Sequence, residues 1–203
     1  MRIELKTAPA TVALTLAGVK QQAFINTTEY DTMIAAEIDK AIAYTEQYTG
    51  RRLIDQSIYI YYDRDEYADR MRAYKNSLLL SSLNVSAITE VLTYDELNAS
   101  TAVTSTDYRL SGNTLSAESN LVFNETTTAS LTNIRQVDGV RVEVVCGYGA
   151  AAANVPGTII YAANQLVAYW VQNGNMASTE NREEQLITFR GVLLQYMSPE
   201  QMF

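Results

Sequence analysis

The chain of 203 residues contains no histidine at all. That removes the usual general base, the commonest metal ligand and the usual partner of a nucleophilic serine or cysteine. Catalysis would have to rest on carboxylates or lysine, and no spacing of acids in the sequence singles out a pair. One cysteine, Cys146, excludes an intrachain disulfide and reads as a small buried hydrophobe. No uninterrupted apolar stretch of about 18 residues occurs, so no segment reads as a membrane span. The opening Met1-Arg2-Ile3-Glu4-Leu5-Lys6 has an early acid and no apolar core, unlike a secretory signal. The expectation is a protein made in a cytoplasm and used there, or in a particle assembled there. Basic charge is also short: 15 Lys and Arg stand against 23 Asp and Glu, a net charge of −8. Such a chain gets no electrostatic help in wrapping nucleic acid, although DNA can pass it without sticking.

What is present is ordinary for a globular protein: 47% hydrophobic and 19% charged residues. A chain of this length buries enough surface to hold a core without staples. Residues 1–12 read as an extended arm with little periodicity. Thr15 reads as the cap of a short helix through Leu16, Val19, Lys20 and Ala23. The spacing predicts a longer helix over 28–49, with Thr28 as N-cap and Asp31 at the box position. Its buried stripe is Tyr30, Ile34, Ile38, Ala41, Thr45 and Tyr48. Gly50 follows where a left-handed residue is wanted.

Residues 57–62 alternate as a strand. The charged stretch 64–75 suits either a short exposed helix or a long hairpin loop, and two strands follow near 78–81 and 87–94. From 98 to 133, 19 of 36 residues are Ser, Thr or Asn. This predicts a polar β meander at the surface, turning at Gly112-Asn113. Residues 139–146 alternate as a half-buried strand, with Val140, Val142, Val144 and Cys146 on one face. Gly147-Tyr148-Gly149 ends it, the glycines supplying positive φ, and alanines 150 to 153 form a loop. Pro156 opens a helix over 157–173 that is apolar on more than one face, Trp170 included, and Gly174 stops it. A last helix, about 179–197, carries Leu186, Ile187, Arg190, Leu193, Leu194 and Met197, and Ser198-Pro199 ends it.

The predicted class is α+β: helices packed on a small, mostly antiparallel sheet, with a polar β insertion. The chain reads as a single domain, with helical parts 14–55 and 156–197 and a β-rich part 56–147 that includes the meander 98–133.

Four blocks of the sequence resemble the head-tail connector (adaptor) family of long-tailed bacteriophages. They are the helix running from Ile34 through Tyr48-Thr49-Gly50-Arg51-Arg52-Leu53, the strand Asp107-Tyr108-Arg109, the strand end Gly147-Tyr148-Gly149, and Val155-Pro156 leading to Trp170. Together they span residues ~15–173. Tyr169 departs from the family, which often has histidine there; the segment 64–75 is more charged and the Thr-rich stretch longer. The resemblance implies a ring, typically dodecameric, docked beneath the portal protein at one capsid vertex. Such a ring extends the DNA channel, presents a platform for the next neck or tail protein, and performs no chemistry. No cofactor or metal is implied.

Candidate contact residues follow with their plainer readings beside them. Arg51 and Arg52 are solvated charges, or partners for acids on a neighbouring subunit. Tyr59, Tyr61, Tyr62, Tyr67 and Tyr74 are half-buried strand packing, or a contact surface, with Tyr61 the residue singled out. Tyr148 is core or lid packing, or an interface aromatic. Arg64, Arg70, Arg72 and Lys75 line a channel, or, with acids interleaved, form a mixed solvated face. Phe203 frays, or anchors a C-terminal tail on the portal. Two rival functions remain: a head-closure or tail-terminator protein, which would be β-rich with few helices, and a carboxylate hydrolase, which would need two acids facing a pocket.

Overall fold

The computed structural model describes residues 1–73, 76–80, 83–112, 119–124, 133–173 and 179–197, with backbone alone at 70–73, 173 and 179–185. The chain is α+β and divides into two compact units: residues 1–10 with 55–148, and residues 11–54 with 149–203.

The first unit is built on an antiparallel five-stranded sheet in the order β1-β2-β8-β4-β5. Its strands are β1 (Arg2–Thr7), β2 (Gln56–Tyr62), β4 (Val85–Tyr94), β5 (Ser100–Ala102) and β8 (Val140–Cys146). A second, three-stranded sheet, β3-β7-β6, is formed by β3 (Ser77–Leu79), β6 (Tyr108–Ser111) and β7 (Asn120–Phe123). Between β2 and β3 lies α3 (Arg64–Ala73), so the charged stretch is a helix, with Asp65 and Glu66 at its positive end. The core takes Ile58, Ile60, Val142 and Val144 from the large sheet, Leu78, Leu121 and Phe123 from the small one, and Tyr67 from α3. Tyr62 is fully buried and its hydroxyl donates to the Leu79 carbonyl at 2.7 Å, tying β2 to β3.

The second unit is helical: α1 (Leu16–Ala23), α2 (Asp31–Thr49), α4 (Gly157–Asn173) and α5 (Thr179–Leu193), the last followed by a 3-10 turn at Leu194–Tyr196. Helix α4 packs against α1, α2 and α5, which is why Ile159, Ala162, Ala163, Leu166, Val167 and Ala168 are all buried around it. The buried hydroxyls of Thr45 and Thr49 are satisfied within α2, donating to Ala41 and Thr45 carbonyls at 2.7 and 2.8 Å.

Several sequence expectations are corrected. Residues 1–12 are not a free arm: Arg2–Thr7 pairs with β2 as the edge strand. Helix α2 begins at Asp31 with Tyr30 at its N-cap and no side-chain cap. Thr28 instead closes a turn, its carbonyl accepting from Asp31 N–H at 3.2 Å, while the Asp31 carboxylate takes Lys20 at 2.7 Å. The α2 stripe keeps Ile34, Ile38, Ala41 and Thr45, adds Thr49, and leaves Tyr30 exposed and Tyr48 half-buried. The Thr-rich stretch is not one meander, because β5 joins the large sheet while β6 and β7 join the small one. Asn113, the second half of the expected turn, lies outside the described residues, as do Gly174 and Ser198-Pro199. A 3-10 turn, Ala152–Asn154, replaces part of the alanine loop. Trp170 is half-buried and not core. On α5 the buried residues are Phe189 and Leu193, whereas Ile187 and Leu194 face solvent. Phe189 sits 5.5 and 6.3 Å, ring to ring, from Tyr44 and Tyr48 of α2, which sets that helix's rotation.

Other expectations hold. Thr15 caps α1, accepting from Gly18 N–H at 3.1 Å. Gly50 is left-handed, φ 72°, at the end of α2. Cys146 is buried.

Candidate assembly surface

The segment Thr49-Gly50-Arg51-Arg52-Leu53 stops a helix and turns the chain. After Gly50, Glu46 reaches forward from the last turn of α2: its carboxylate accepts from the Leu53 N–H and from Arg52, both at 2.9 Å. Leu53 is fully buried. Arg51 is not a solvated charge, being only 5% exposed. Its Nε donates to the Tyr196 carbonyl at 2.8 Å. Both arginines therefore serve their own chain.

The strand end at Gly147 is equally structural. Gly147 has φ 151°, and a Cβ there would come within 2.4 Å of the Asp55 backbone nitrogen. Gly149, φ 148°, is pressed against Asn154. Tyr148 is buried. Positive φ at both glycines is as the sequence predicts. Phe203 lies outside the described residues.

Tyr61 stands on an open face. The pleat of β2 sends Ile58, Ile60 and Tyr62 into the core and Tyr59 and Tyr61 to the opposite side. There Tyr61 is flanked in register by Arg2 of β1 and Arg141 of β8, and Tyr59 by Glu4 and Glu143. The Arg2 guanidinium lies 3.9 Å from the Tyr61 ring centre, and Arg141 lies 4.5 Å from that of Tyr59. The two tyrosines meet edge to face at 6.1 Å.

Charge on this face is arranged to cancel. Glu143 and Glu90 are direct cross-strand partners, an arrangement that repels when unrelieved. Lys6 takes Glu143 at 2.7 Å and Arg141 takes Glu90 at 2.8 Å. The hydrogen bond to Glu143 raises the Lys6 pKa, and that to Asp138, at 2.8 Å, raises the pKa of Arg2. Burial, then the charge of Glu4, pushes the Tyr61 phenol up. Every ionisable group here is held in its pH 7 form. The face therefore binds by shape and cation–π stacking and offers no poised acid or base. Its tyrosine and arginine content is that of interface hot spots.

An open hollow of about 360 Å³ is lined by Arg64, Asp95, Glu96, Leu97, Asn133 and Ile134. The Asp95 carboxylate there accepts from the Leu97 and Ala99 N–H groups at 2.9 and 2.8 Å, shaping a turn. Arg64 lies 3.5 Å from Glu96 and also donates to the Gln136 side chain. Among the described residues no group of three or more Cys, Asp or Glu is placed to hold a metal ion, and no helix is long and apolar enough to cross a membrane.

Sequence reasoning reached Tyr61 but missed Arg2, Glu4 and Lys6. The signal was there: in Arg2–Lys6 charged residues alternate with Ile3 and Leu5 at the strand period.

Solved structures with this architecture belong to one kind of particle. The fold is shared with chains of a gene transfer agent. A chain in the neck of the empty gene transfer agent (GTA) particle, computed with C6 symmetry, superposes with TM-score 0.68 at 17% identity, covering 98% of this chain and 96% of that one. A chain in the virion of the native GTA particle gives 0.65 at 18% identity, covering 94% and 95%. One in the neck of the native particle, computed with C12 symmetry, gives 0.65 at 19%, again covering 94% and 95%. No protein-family model matches the chain, and no curated protein does.

Proposed function

We propose that the chain is a structural subunit of a virion neck, one copy of a ring between the portal protein and the tail. The observation that carries this reading is the fold shared with a neck chain over 98% of the residues, both units included. The four sequence blocks that resemble phage head-tail connectors point the same way. The cyclic symmetry of those necks supports a ring that touches itself head to tail. Twelve copies is the number the connector resemblance implies. The −8 charge suits a channel through which DNA slides without being held, and nothing in the reading requires an enzyme or a cofactor.

Within the ring the open face around Tyr61 is a contact surface for a neighbouring copy or the next neck protein. The segment ending in Phe203 reaches the portal, by analogy with similar connectors. Arg51 and Arg52 hold their own chain together, and Tyr148 packs within it.

Electron microscopy of the purified chain mixed with its portal protein tests the proposal. A second ring stacked coaxially on the portal is expected. Portal rings with nothing attached, at saturating chain, would refute it. Deleting residues 198–203 is expected to abolish stacking while leaving the fold intact.

A further inference from the structure

Phe24 follows the last residue of α1 with φ 56°, in the left-handed region. There an L side chain crowds the next carbonyl, and glycine is the usual occupant. Two backbone bonds lock the conformation: Phe24 N–H donates to Gln21 at 3.4 Å, and Ile25 N–H to Lys20 at 2.9 Å. Lys20 also clamps the far end of the loop through Asp31 at 2.7 Å. The result is a phenyl group held in water, 88% exposed. The helix end needs neither the ring nor the Cβ; glycine would close it better. A bulky aromatic kept in a disfavoured backbone state and out of the core points to a use outside the folded chain.

A head-to-tail ring needs two different patches on each copy, one to insert and one to receive. The receiver is visible at the free edge of the large sheet. Ile3 and Leu5 of β1 lie opposite Ile60 and Leu5's partner Ile58, on the face that carries the core, yet they are 40% and 55% exposed. This edge strand has no proline, the usual guard against pairing with another chain. Charge fits as well. Arg2 and Lys6 flank Ile3 and Leu5 against Glu4 alone, whereas residues 24–38 carry Glu29, Asp31 and Glu37 and no base.

We propose that Phe24 of one copy plugs against Ile3 and Leu5 of the next copy in the ring. The proposal rests on the ring reading and names the contact that closes it.

Phe24→Gly separates folding from assembly. The variant is expected to melt no lower than the parent chain, and up to about 3 °C higher as the left-handed strain is relieved, while ring formation on the portal is lost. Phe24→Asn, whose side chain tolerates the same backbone, is expected to behave alike. The native Cys146 is buried, so engineered thiols report alone. Under mild oxidation the Phe24→Cys, Leu5→Cys double variant is expected to give a ladder of covalent multimers, and either single variant nothing beyond a dimer. A lower melting temperature for Phe24→Gly, rings that survive it, or a double variant that forms no ladder would each overturn the plug alone. A parent chain that forms no ring on its portal would overturn the ring reading and the plug together.

Discussion

The Nε of Arg51 donates to the backbone carbonyl of Tyr196 at 2.8 Å, joining the turn after α2 to the 3-10 turn that follows α5. The contact spans 145 residues of sequence, and it places a guanidinium where only one end of the chain's own backbone meets it. Replacing Arg51 by lysine keeps the charge and loses the planar donor geometry. A cost of about 2 kcal/mol is expected in urea unfolding, with faster proteolysis near residue 196. An Arg51→Lys chain with parental stability but no ring would instead mark Arg51 as a subunit contact.

Gly147 admits no side chain. Its φ of 151° and the 2.4 Å approach of a built Cβ to the Asp55 nitrogen mean that backbone must shift to accept even a methyl group. Gly147→Ala is expected to lose about 3 kcal/mol, read from the denaturant midpoint. The clash is with backbone, so no second substitution of a flexible neighbour is expected to rescue it.

Lys6 neutralises Glu143, which is buried and faces Glu90 across the sheet. Lys6→Met leaves that carboxylate without its cation and is expected to lower the melting temperature. Adding Glu143→Leu removes the stranded charge, so the double variant is expected to be more stable than Lys6→Met alone. A thermal-melt cycle over the four chains checks the order. Purely additive effects would show that the pair is not coupled.

Alkaline pH acts on two groups in the same direction. Burial pushes the Tyr67 phenol far above its ordinary value, and the Glu143 bond raises Lys6. A group whose folded pKa is raised stabilises the fold fully below its unfolded pKa. That contribution drains away as pH climbs from the unfolded value toward the folded one. Stability is therefore expected to be steady below about pH 10 and to fall above it. Among the described residues the buried Tyr67 hydroxyl has no hydrogen-bond partner, so Tyr67→Phe is expected to gain up to about 1 kcal/mol at neutral pH. It is also expected to remove about 1.4 kcal/mol per pH unit from the fall above pH 10. Urea midpoints at pH 7, 9 and 11 decide both.

Much of this fold can be read in the sequence, and the unread parts share a cause. Helix α2 declares itself because Ile34, Ile38, Ala41 and Thr45 all meet one surface and Gly50 marks the stop. Strand β8 declares itself because its two faces differ in polarity. Strand β1 hides because both its faces are exposed at the sheet edge, so Ile3 and Leu5 give no burial contrast. Partner choice hides too: nothing local tells β5 to join the large sheet and β6 and β7 the small one, since pairing is settled by distant strands. The rotation of α5 depends on Phe189 meeting Tyr44 and Tyr48, a contact made from α2. The site shows the same split. Tyr61 is conspicuous in its strand, but the cations that stack on it and its neighbour come from residues 2, 6 and 141, which only the sheet brings together.

The position of β8 has a consequence for synthesis. It lies between β2 and β4, yet it is the last strand of its sheet to be made. A nascent chain carries β2 and β4 unpaired to each other, with Ile58, Ile60 and Val91 uncovered, until residue 146 has left the ribosome. The sheet then closes at once around its final strand. Crowded virion production exposes that half-made edge to other nascent copies, so chaperone demand and expression temperature, more than the stability of the finished subunit, will limit the yield of soluble protein.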